Sequence, residues 1–378
     1  MTDDVDAIAA FAERFTDEPG YLDFARLGPV GRTVREEESA MSSIIGRARF
    51  GGLAELDVQD ERVRVAISAV LGVPALRVAF QPSPNRGLLN VIAGITGKIA
   101  VSGSDAAGLR FAVQRVAAAQ RSLTPLWLET DHGRITPGNL RSQLTKATAV
   151  VALSAVDPRT GYLADLGGIR DVIGDRLLIL DATQGFGAVD ADWGVADVVV
   201  AGTHTWARAG AGTGFVAMSD RALDAVAATR AGFSPTADES VSFDEVPPPL
   251  EGIAAFGESD PDPVAQSRLA AALEEIAQIG VPVIHERIAQ NTSRIIDTAD
   301  EFGLAVSSSR DEGERAGIVI LTPQPDQLTV LAASIHNHGV SATSQYGSIR
   351  LSPHITTNEE TFGMLRAALV SFASAITL

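Results

Sequence analysis

Cysteine is absent from this 378-residue sequence, and lysine is almost absent. Without cysteine the chain has no disulfide, no thiolate nucleophile and no cysteine-ligated zinc or iron–sulfur cluster. Only two of its 30 basic residues are lysines, Lys98 and Lys146. Any chemistry that needs a side-chain amine is therefore restricted to these two positions.

Positive charge is also scarce. Forty-seven acidic residues against 30 basic ones give a formal net charge of -17 and a pI near 4.7. Such acidity argues against binding the phosphate backbone of nucleic acids, because nothing would neutralise it. No apolar run approaches the roughly 20 residues that a membrane span needs, and the acidic stretch MTDDVDAIAAFAERF lacks a secretory pattern. We therefore expect a cytoplasmic protein without nucleic-acid or membrane partners.

Apolar residues are plentiful, at 46% against 20% charged, which is typical of a globular protein with a sizeable core. From about residue 76, short β-branched runs such as TAVVALSAV and ADVVVAG alternate with helical periods. This alternation predicts βαβ units and a mainly parallel sheet. The segment 212–220 follows a short glycine-rich turn, so we expect it to be an antiparallel neighbour in that sheet.

The chain divides at a stretch rich in Pro, Asp, Glu and Ser, residues 234–263, which predicts a long solvent-exposed excursion. We expect an N-terminal helix within residues 1–20, as part of a small domain or a dimer arm. A large α/β domain is expected over residues 21–260. A small α+β domain is expected over residues 261–378, with its first strand near Ala305.

Two predicted strands end in polar residues. LLILDATQG places Asp181 at a strand end with Gln184 one turn later, and VVVAGTHTW ends another strand in Thr203, His204 and Thr205. Ligands of open α/β sheets bind at the carboxyl ends of strands. A carboxylate directly after apolar residues needs a partner, since an isolated buried charge is costly. An alternative role for Asp181 is to cap the next helix or to pair with an arginine.

Four segments in chain order carry a family resemblance. They are YLDFARLGPVG at 21–31, SAVDPRTGYLADL at 154–166, ILDATQGFGAVDAD at 179–192 and GSIRLSPHITTNEET at 347–361. Together they resemble the class V aminotransferases, which include cysteine desulfurases, isopenicillin N epimerase-like proteins and kynureninase. The resemblance implies the fold of fold-type I pyridoxal phosphate (PLP) enzymes, with a seven-stranded sheet in the large domain. It also implies a homodimer that acts on α-amino acids.

The resemblance implies a role for each matched residue. Asp181 would pair with the protonated pyridine nitrogen of PLP, and Gln184 would lie near the phenolic oxygen of the ring. Thr203 and His204 would face the cofactor phosphate. Arg350 would hold a substrate carboxylate with a bidentate guanidinium, and its alternative role is a surface ion pair.

The lysine that forms the Schiff base in this family is missing. The family has His-Lys-Trp, or a near variant, where this chain has His204-Thr205-Trp206. A threonine has no amine, so Thr205 can neither form the Schiff base nor move the α-proton. Lys98 is predicted at the start of a strand and Lys146 in a polar turn, both away from the site.

The expected phosphate and ring contacts also depart from the family pattern. The phosphate-binding helix start aligns with residues 81–86, where Pro84 removes an amide donor and a hydroxyl but Ser83, Asn85 and Arg86 could still bind an anion. The residue that stacks on the ring aligns with Ala106, which has no π-face. Three changes around one cavity favour natural loss of Schiff-base chemistry over a designed mutation.

Three functional hypotheses follow. The first is a class V-fold protein that has lost PLP internal-aldimine catalysis, either a pseudoenzyme or a protein repurposed to bind a small anionic or amino-acid-like ligand. The second is an enzyme that uses pyridoxamine phosphate (PMP), with His204 as its base. The third is an ordinary PLP-dependent aminotransferase, lyase or epimerase with Thr205 as an altered position. No metal is expected, because His336 and His338 do not share a helix face, and a heterodimer with an active paralogue stays open.

Overall fold

A seven-stranded sheet organises the chain. The computed structural model describes residues 2–47, 49–130, 132–230, 248 and 250–376. The strands of this sheet are β1 (Val78–Phe80), β2 (Gly97–Ser102), β3 (Leu123–Leu128), β4 (Thr148–Ser154), β5 (Leu177–Asp181), β6 (Val198–Gly202) and β7 (Gly214–Met218). Their order across the sheet is β1-β7-β6-β5-β4-β2-β3, and only β7 runs antiparallel to its neighbours. The predicted mainly parallel sheet and its antiparallel neighbour are confirmed.

The helices of the described residues cover both faces of this sheet and pack on the smaller C-terminal sheet. They are α1 (Thr2–Ala12), α2 (Arg32–Arg47), α3 (Ala54–Asp57), α4 (Gln59–Leu71), α5 (Pro84–Ala93), α6 (Ala107–Ala119), α7 (Pro137–Gln143), α8 (Leu166–Ile173), α9 (Asp220–Ala225), α10 (Pro263–Ile279), α11 (Val281–Glu301), α12 (Leu328–Asn337) and α13 (Glu359–Ile376). Within the described residues, none of them combines the length and the apolar character that crossing a membrane requires.

The uninterrupted apolar runs of the strands arise because both faces of the sheet are buried. Along β4, Val150 and Ala152 join a core that contains side chains of α5 and α6. Val151 and Leu153, which point to the opposite face, join a second core with side chains of α4, α8 and α10. Successive side chains alternate between faces, so a strand covered on both sides must be apolar throughout.

The C-terminal region carries a smaller antiparallel sheet with its own core. Its strands are β8 (Val319–Leu321), β9 (Thr343–Gln345) and β10 (Ser348–Leu351), in the order β8-β10-β9. Ile335 of α12 and Leu369 of α13 pack in the same cluster as Leu321. The strand expected near Ala305 is wrong, because this segment forms only one isolated bridge, between Val306 and Leu321.

The segment that follows β7 is only partly exposed. Residues 231–247 and 249, within which most of the predicted excursion falls, lie outside the described residues. Beyond them, Gly252–Phe256 forms a 3-10 helix whose Phe256 is buried against the sheet. The side-chain amides of Gln81 and Asn90 donate hydrogen bonds to the Phe256 carbonyl. The prediction of a solvent-exposed face is therefore wrong for this part, because buried polar side chains anchor an apolar turn.

The proposed domain boundary at residue 260 stays a prediction. The helix directly after it, α10, packs along α2 and α4. Its Leu269 and Leu273 join the core beneath the large sheet. By packing, this helix belongs with the large sheet, whereas α12 and α13 pack with the small one.

Candidate functional site

The carboxyl ends of the parallel strands meet at one edge of the large sheet. The register pairs Ser154 at the end of β4 with Asp181 at the end of β5. The strand β6 ends at Gly202, directly before Thr203. The structure therefore brings Asp181, Gln184, Thr203, His204 and Thr205 to the same edge, where ligands of open α/β sheets bind.

Asp181 is buried and is held by the residue two positions later. Its Oδ1 accepts hydrogen bonds from the backbone amide of Thr183 at 3.0 Å and from the Thr183 hydroxyl at 2.5 Å. Burial raises the pKa of Asp181, and these hydrogen bonds oppose the rise. No ion pair with Asp181 is found among the described residues, so the alternative of an arginine partner finds no support, whereas capping of the following turn is observed.

Hydrogen bonds occupy Thr205, the position that the sequence resemblance assigns to the family lysine. Thr205 is 2% exposed, and its hydroxyl donates to the Thr183 carbonyl at 3.1 Å. The Thr183 hydroxyl in turn lies between the Asp181 carboxylate and the backbone amide of Gly202. Gly28 packs directly on this loop, since a Cβ at Gly28 would lie 2.0 Å from the Thr205 carbonyl oxygen. The Thr205 side chain is thus buried, and its hydroxyl proton is donated to a backbone carbonyl of the same chain.

Gln184 and Thr203 are engaged in the same way. The Gln184 amide donates to the carbonyl of Ala25 at 2.9 Å, and its Oε1 accepts from the indole of Trp206 at 3.0 Å. The Thr203 hydroxyl donates to the Thr213 hydroxyl at 2.7 Å. A hydroxyl has one proton to donate, so Thr203 has none left for a cofactor phosphate.

The N-terminus of α5, the predicted phosphate site, lies beside an acidic side chain. Ser83 caps the helix by accepting a hydrogen bond from the Arg86 amide at 3.2 Å, and Pro84 follows it without an amide proton. The Arg86 guanidinium donates to Glu258 at 2.8 Å and 3.4 Å. A helix N-terminus attracts anions, and here the carboxylate of Glu258 already neutralises the nearby cation.

The rest of the predicted cofactor set lies between α5 and α6. Asn85, in the first turn of α5, directs its Oδ1 towards α6, where a Cβ at Gly108 would lie 2.4 Å from it. Ala106 is the N-cap residue of α6 and gives that helix no side-chain cap. The structure therefore places Asn85 against α6, the helix that begins after Ala106.

Asp105 is a site residue that the sequence analysis missed. Its carboxylate accepts hydrogen bonds from the Ser154 hydroxyl at 2.5 Å, from the Ser154 amide at 3.2 Å and from the Ala106 amide at 2.6 Å. Burial raises the pKa of Asp105 to about 6, with a further contribution from the negative charge of Asp181. The available sequence signal was an acidic residue in the Gly-Ser loop directly after β2, the same strand-end position that drew attention to Asp181.

A cavity of about 760 Å³ opens beside Asp105 and Ala106, between this edge and the small sheet. Arg110 of α6, Arg159 from the loop after β4, and Arg350 of β10 line it. Within the described lining, three guanidinium groups therefore face one carboxylate. This volume lies in the usual range of small-molecule sites.

Arg350 is a buried residue of this cavity. It is 7% exposed, and its Nη2 lies 3.5 Å from Asp23 and 3.4 Å from the Thr343 hydroxyl. Its Nη1 donates to the carbonyl of Pro158 at 3.4 Å, and its Nε has no partner. Burial lowers the pKa of Arg350, and Asp23 opposes this. The alternative of a surface ion pair is wrong, because this guanidinium is enclosed and keeps donor capacity.

A two-residue turn places Tyr346 at the mouth of the cavity. Between the paired residues Gln345 and Ser348, Tyr346 and Gly347 have φ of 52° and 75°. Positive φ at both central residues is typical of a type I′ hairpin turn. Tyr346 is 85% exposed and lines the cavity together with the two residues that flank the turn.

The remaining candidates lie elsewhere or are weakly basic. Burial lowers the pKa of His204, so its imidazole is neutral at neutral pH. Lys98 is the second residue of β2, and Lys146 lies just before β4. Both lysines are therefore at the amino ends of their strands, whereas Asp181 is at a carboxyl end. The ring of His338 contacts the Ser334 carbonyl. In the part of the chain that the structure describes, no three His, Asp or Glu side chains are grouped to hold a metal ion.

Comparison with known families agrees with this geometry. The sequence profile described as "Aminotransferase class-V" matches residues 61–375, most of the chain. The chain belongs to the class V aminotransferase family. Among curated proteins, no relative matches it significantly.

Solved structures of this family share the whole fold at low sequence identity. An apo cysteine desulfurase from Thermococcus onnurineus NA1 has a TM-score of 0.83 at 18% identity, covering 95% of each chain. A mutant of C-DES with glycine covalently linked to its PLP cofactor has a TM-score of 0.82 at 18% identity, covering 93% of this chain and 96% of its own. The cysteine desulfurase CsdA from Escherichia coli has a TM-score of 0.79 at 17% identity, covering 98% of each. At these identities the likeness shows the fold.

The residues present do not fit PLP as a lysine-bound cofactor of this family. The amine is replaced by Thr205, whose hydroxyl is bonded within the fold. The N-terminus of α5 has lost an amide at Pro84, and the charge of Arg86 is taken by Glu258. Of the expected contacts, the carboxylate of Asp181 is retained at its strand end.

Proposed function

We propose that this class V aminotransferase relative has lost PLP-dependent catalysis and binds a small carboxylate ligand in the cavity beside Arg350. The observation that carries the proposal is the enclosed threonine at position 205, with both lysines at the far ends of their strands. Without an amine at this position, the chain has no residue to form the Schiff base on which the chemistry of the family depends.

The ligand is assigned to the guanidinium side of the cavity. Arg350 keeps a buried Nε without a partner, and its contacts with Asp23 and Thr343 are long, at 3.4–3.5 Å. A carboxylate in the cavity would form shorter hydrogen bonds with this guanidinium than its present contacts and would use its remaining donor capacity. Charge-assisted hydrogen bonds to arginine are stronger than those between neutral groups. Asp23 and Thr343 then act as positioning residues that hold the guanidinium from behind.

The cofactor half of the proposal is tested by incubating the purified protein with PLP, desalting it, and recording its absorption spectrum and intact mass. The expected result is the mass of the unmodified sequence and no absorption band between about 330 and 430 nm. A band that survives desalting, at a stoichiometry near one per chain, would overturn this half of the proposal.

The carboxylate half is tested by calorimetric titration with butyrate. Binding to the wild-type chain is expected, with loss of binding in Arg350→Gln. Arg115→Gln is the matched control, because Arg115 lies exposed on α6 away from the cavity lining. Equal binding by wild type and Arg350→Gln would refute the assignment of the ligand to Arg350.

A PMP-dependent enzyme is the second candidate, and the observation that favours it is the retained Asp181 at the end of β5. Asp181 would hold the pyridine nitrogen, while the neutral imidazole of His204 would accept a proton. Retention and consumption of added PMP in the presence of a 2-oxo acid would establish this alternative. Retention of PMP that also occurs in Asp181→Asn would count against it.

A further inference from the structure

Three guanidinium groups line the cavity. They belong to Arg110, Arg159 and Arg350, which come from α6, from the loop after β4 and from β10. Guanidinium groups form strong charge-assisted hydrogen bonds with anions, so three of them around one cavity point to a ligand that accepts hydrogen bonds at more than one place.

The charges around these arginines are compensated unequally. Arg159 pairs with Asp157 at 3.2 Å, and Arg350 lies 3.5 Å from Asp23. The Nη1 of Arg110 donates to the carbonyl of Gly103 at 3.1 Å, and among the described residues Arg110 forms no ion pair. In a chain with a net charge of -17, three cations thus line one cavity, and among the described residues one of them has no carboxylate partner.

The one carboxylate in the described lining does not balance these cations. Asp105 accepts hydrogen bonds from Ser154 and Ala106, which hold it at the edge of the large sheet. Arg350 lies on the opposite side, in the small sheet. Arg110 and Arg159 are half-buried, and the exposed part of the Arg159 side chain is 39%. Two anion-binding positions result, an enclosed one at Arg350 and a more open one at the other two guanidinium groups.

We propose that the ligand of this cavity is a dicarboxylate, with one carboxylate at Arg350 and the second at the pair formed by Arg110 and Arg159. This inference rests on the proposed function, because it places the ligand in the same cavity. A planar guanidinium matches a carboxylate with two parallel hydrogen bonds, and Arg110 and Arg159 form the more open of the two positions. A monocarboxylate would satisfy only Arg350.

Calorimetric titration with glutarate and butyrate tests the second position, because the two ligands have backbones of similar length and differ by one carboxylate. Glutarate is expected to bind the wild-type chain at least about tenfold more tightly than butyrate. In the double variant Arg110→Gln/Arg159→Gln this preference should fall to within about twofold, with butyrate binding unchanged. Arg115→Gln should retain the preference of the wild type.

A measurement on the unmodified chain keeps the inference testable if the double variant does not fold, as judged by its thermal transition. The affinity for glutarate should fall more steeply with ionic strength than the affinity for butyrate, since two charges are screened instead of one. Equal affinities for the two ligands, or parallel salt dependences, would overturn the dicarboxylate. If butyrate still binds in that case, the proposed function stands; if PLP is retained, the proposed function fails whatever the dicarboxylate result.

Discussion

The two sides of the cavity differ in how their polar groups are satisfied. On the side of the large sheet, Asp181, Thr183 and Thr205 bond to one another, and each donor is used within the fold. On the side of the small sheet, Arg350 is enclosed but makes only contacts of 3.4–3.5 Å, and its Nε has no partner.

Under the proposed function, this difference marks the small-sheet side as the side that binds a ligand. A group that no longer meets a ligand is either replaced or drawn into internal hydrogen bonds, because buried unpaired polar groups are costly. The threonines and Glu258 on the sheet side follow this rule. Arg350, with a donor left open, fits a site that still receives an anion.

Removing the buried cation should have the largest effect. Arg350→Gln leaves the buried Asp23 with the Thr343 hydroxyl and the exposed Arg26 and should destabilise the fold by about 3 kcal/mol at neutral pH, as measured by urea unfolding. Thr343→Val is the matched comparison, since it removes the hydroxyl that donates to Asp23 at 2.8 Å and 2.9 Å but keeps the Arg350 charge, and should cost about 1.5 kcal/mol. A cost for Arg350→Gln no larger than that of Thr343→Val would mean that the arginine is not enclosed as described.

The pH dependence of stability should follow from Asp105. The folded state raises its pKa from 3.8 to about 6, so between these values the native state binds more protons than the unfolded state. The free energy of unfolding therefore decreases as the pH rises from about 4 to 6. Above that range, the contribution of Asp105 no longer changes with pH. The free energy of unfolding of Asp105→Asn, relative to that of wild type, should be about 2–3 kcal/mol higher at pH 7 than at pH 4.

Ser154→Ala is a second test of the pH dependence assigned to Asp105. The Ser154 hydroxyl lowers the pKa of Asp105 by donating a hydrogen bond, so its removal should move the pH window of the stability change upwards. Denaturant midpoints measured at half-unit pH intervals would detect the displacement. A wild-type profile without a decrease between pH 4 and pH 6, or an unmoved window in Ser154→Ala, would contradict the burial assigned to Asp105.

Restoring the lysine should cost stability without restoring chemistry. Thr205→Lys puts a longer, charged side chain into an enclosed position and should destabilise the fold by about 2 kcal/mol. Thr205→Met, of similar length and without charge, separates the volume effect from the charge effect. We expect no turnover of amino acids by Thr205→Lys with added PLP. Robust turnover would mean that the rest of the sheet side is intact.

The smallest effect is expected at the N-terminus of α5. Glu258→Gln releases Arg86 from its ion pair and should change stability by less than about 1 kcal/mol, because the pair is partly exposed. The freed guanidinium at a helix N-terminus should bind inorganic phosphate more tightly than in wild type. Glu251→Gln is the exposed control. Equal phosphate binding in all three proteins would show that Glu258 is not what excludes an anion there.

Much of the sheet could be predicted from sequence, because strands buried on both faces are apolar throughout. The strand β5 ends at Asp181, as the pattern LLILDATQG indicated. Local sequence also located Arg350 on an apolar strand. The failures share one cause: Val306 and Phe256 owe their conformations to distant partners, Leu321 and Gln81 respectively.

The site residues that sequence analysis missed have the same origin. Asp105 is distinguished from other acidic loop residues by its contact with Ser154, 49 positions away. Glu258 meets Arg86 across 172 positions and follows a segment of irregular composition. No local pattern indicates either pair, since both depend on which strand ends and helix starts are adjacent in the fold.

The most direct test of the account compares both sides of the cavity in one preparation, by calorimetric titration of the wild-type chain with PLP and with glutarate under identical conditions. The account predicts saturable binding of glutarate and no saturable binding of PLP up to millimolar concentration. Tight, saturable binding of PLP with no binding of glutarate would contradict it, because the side of the site described as closed would be the one in use.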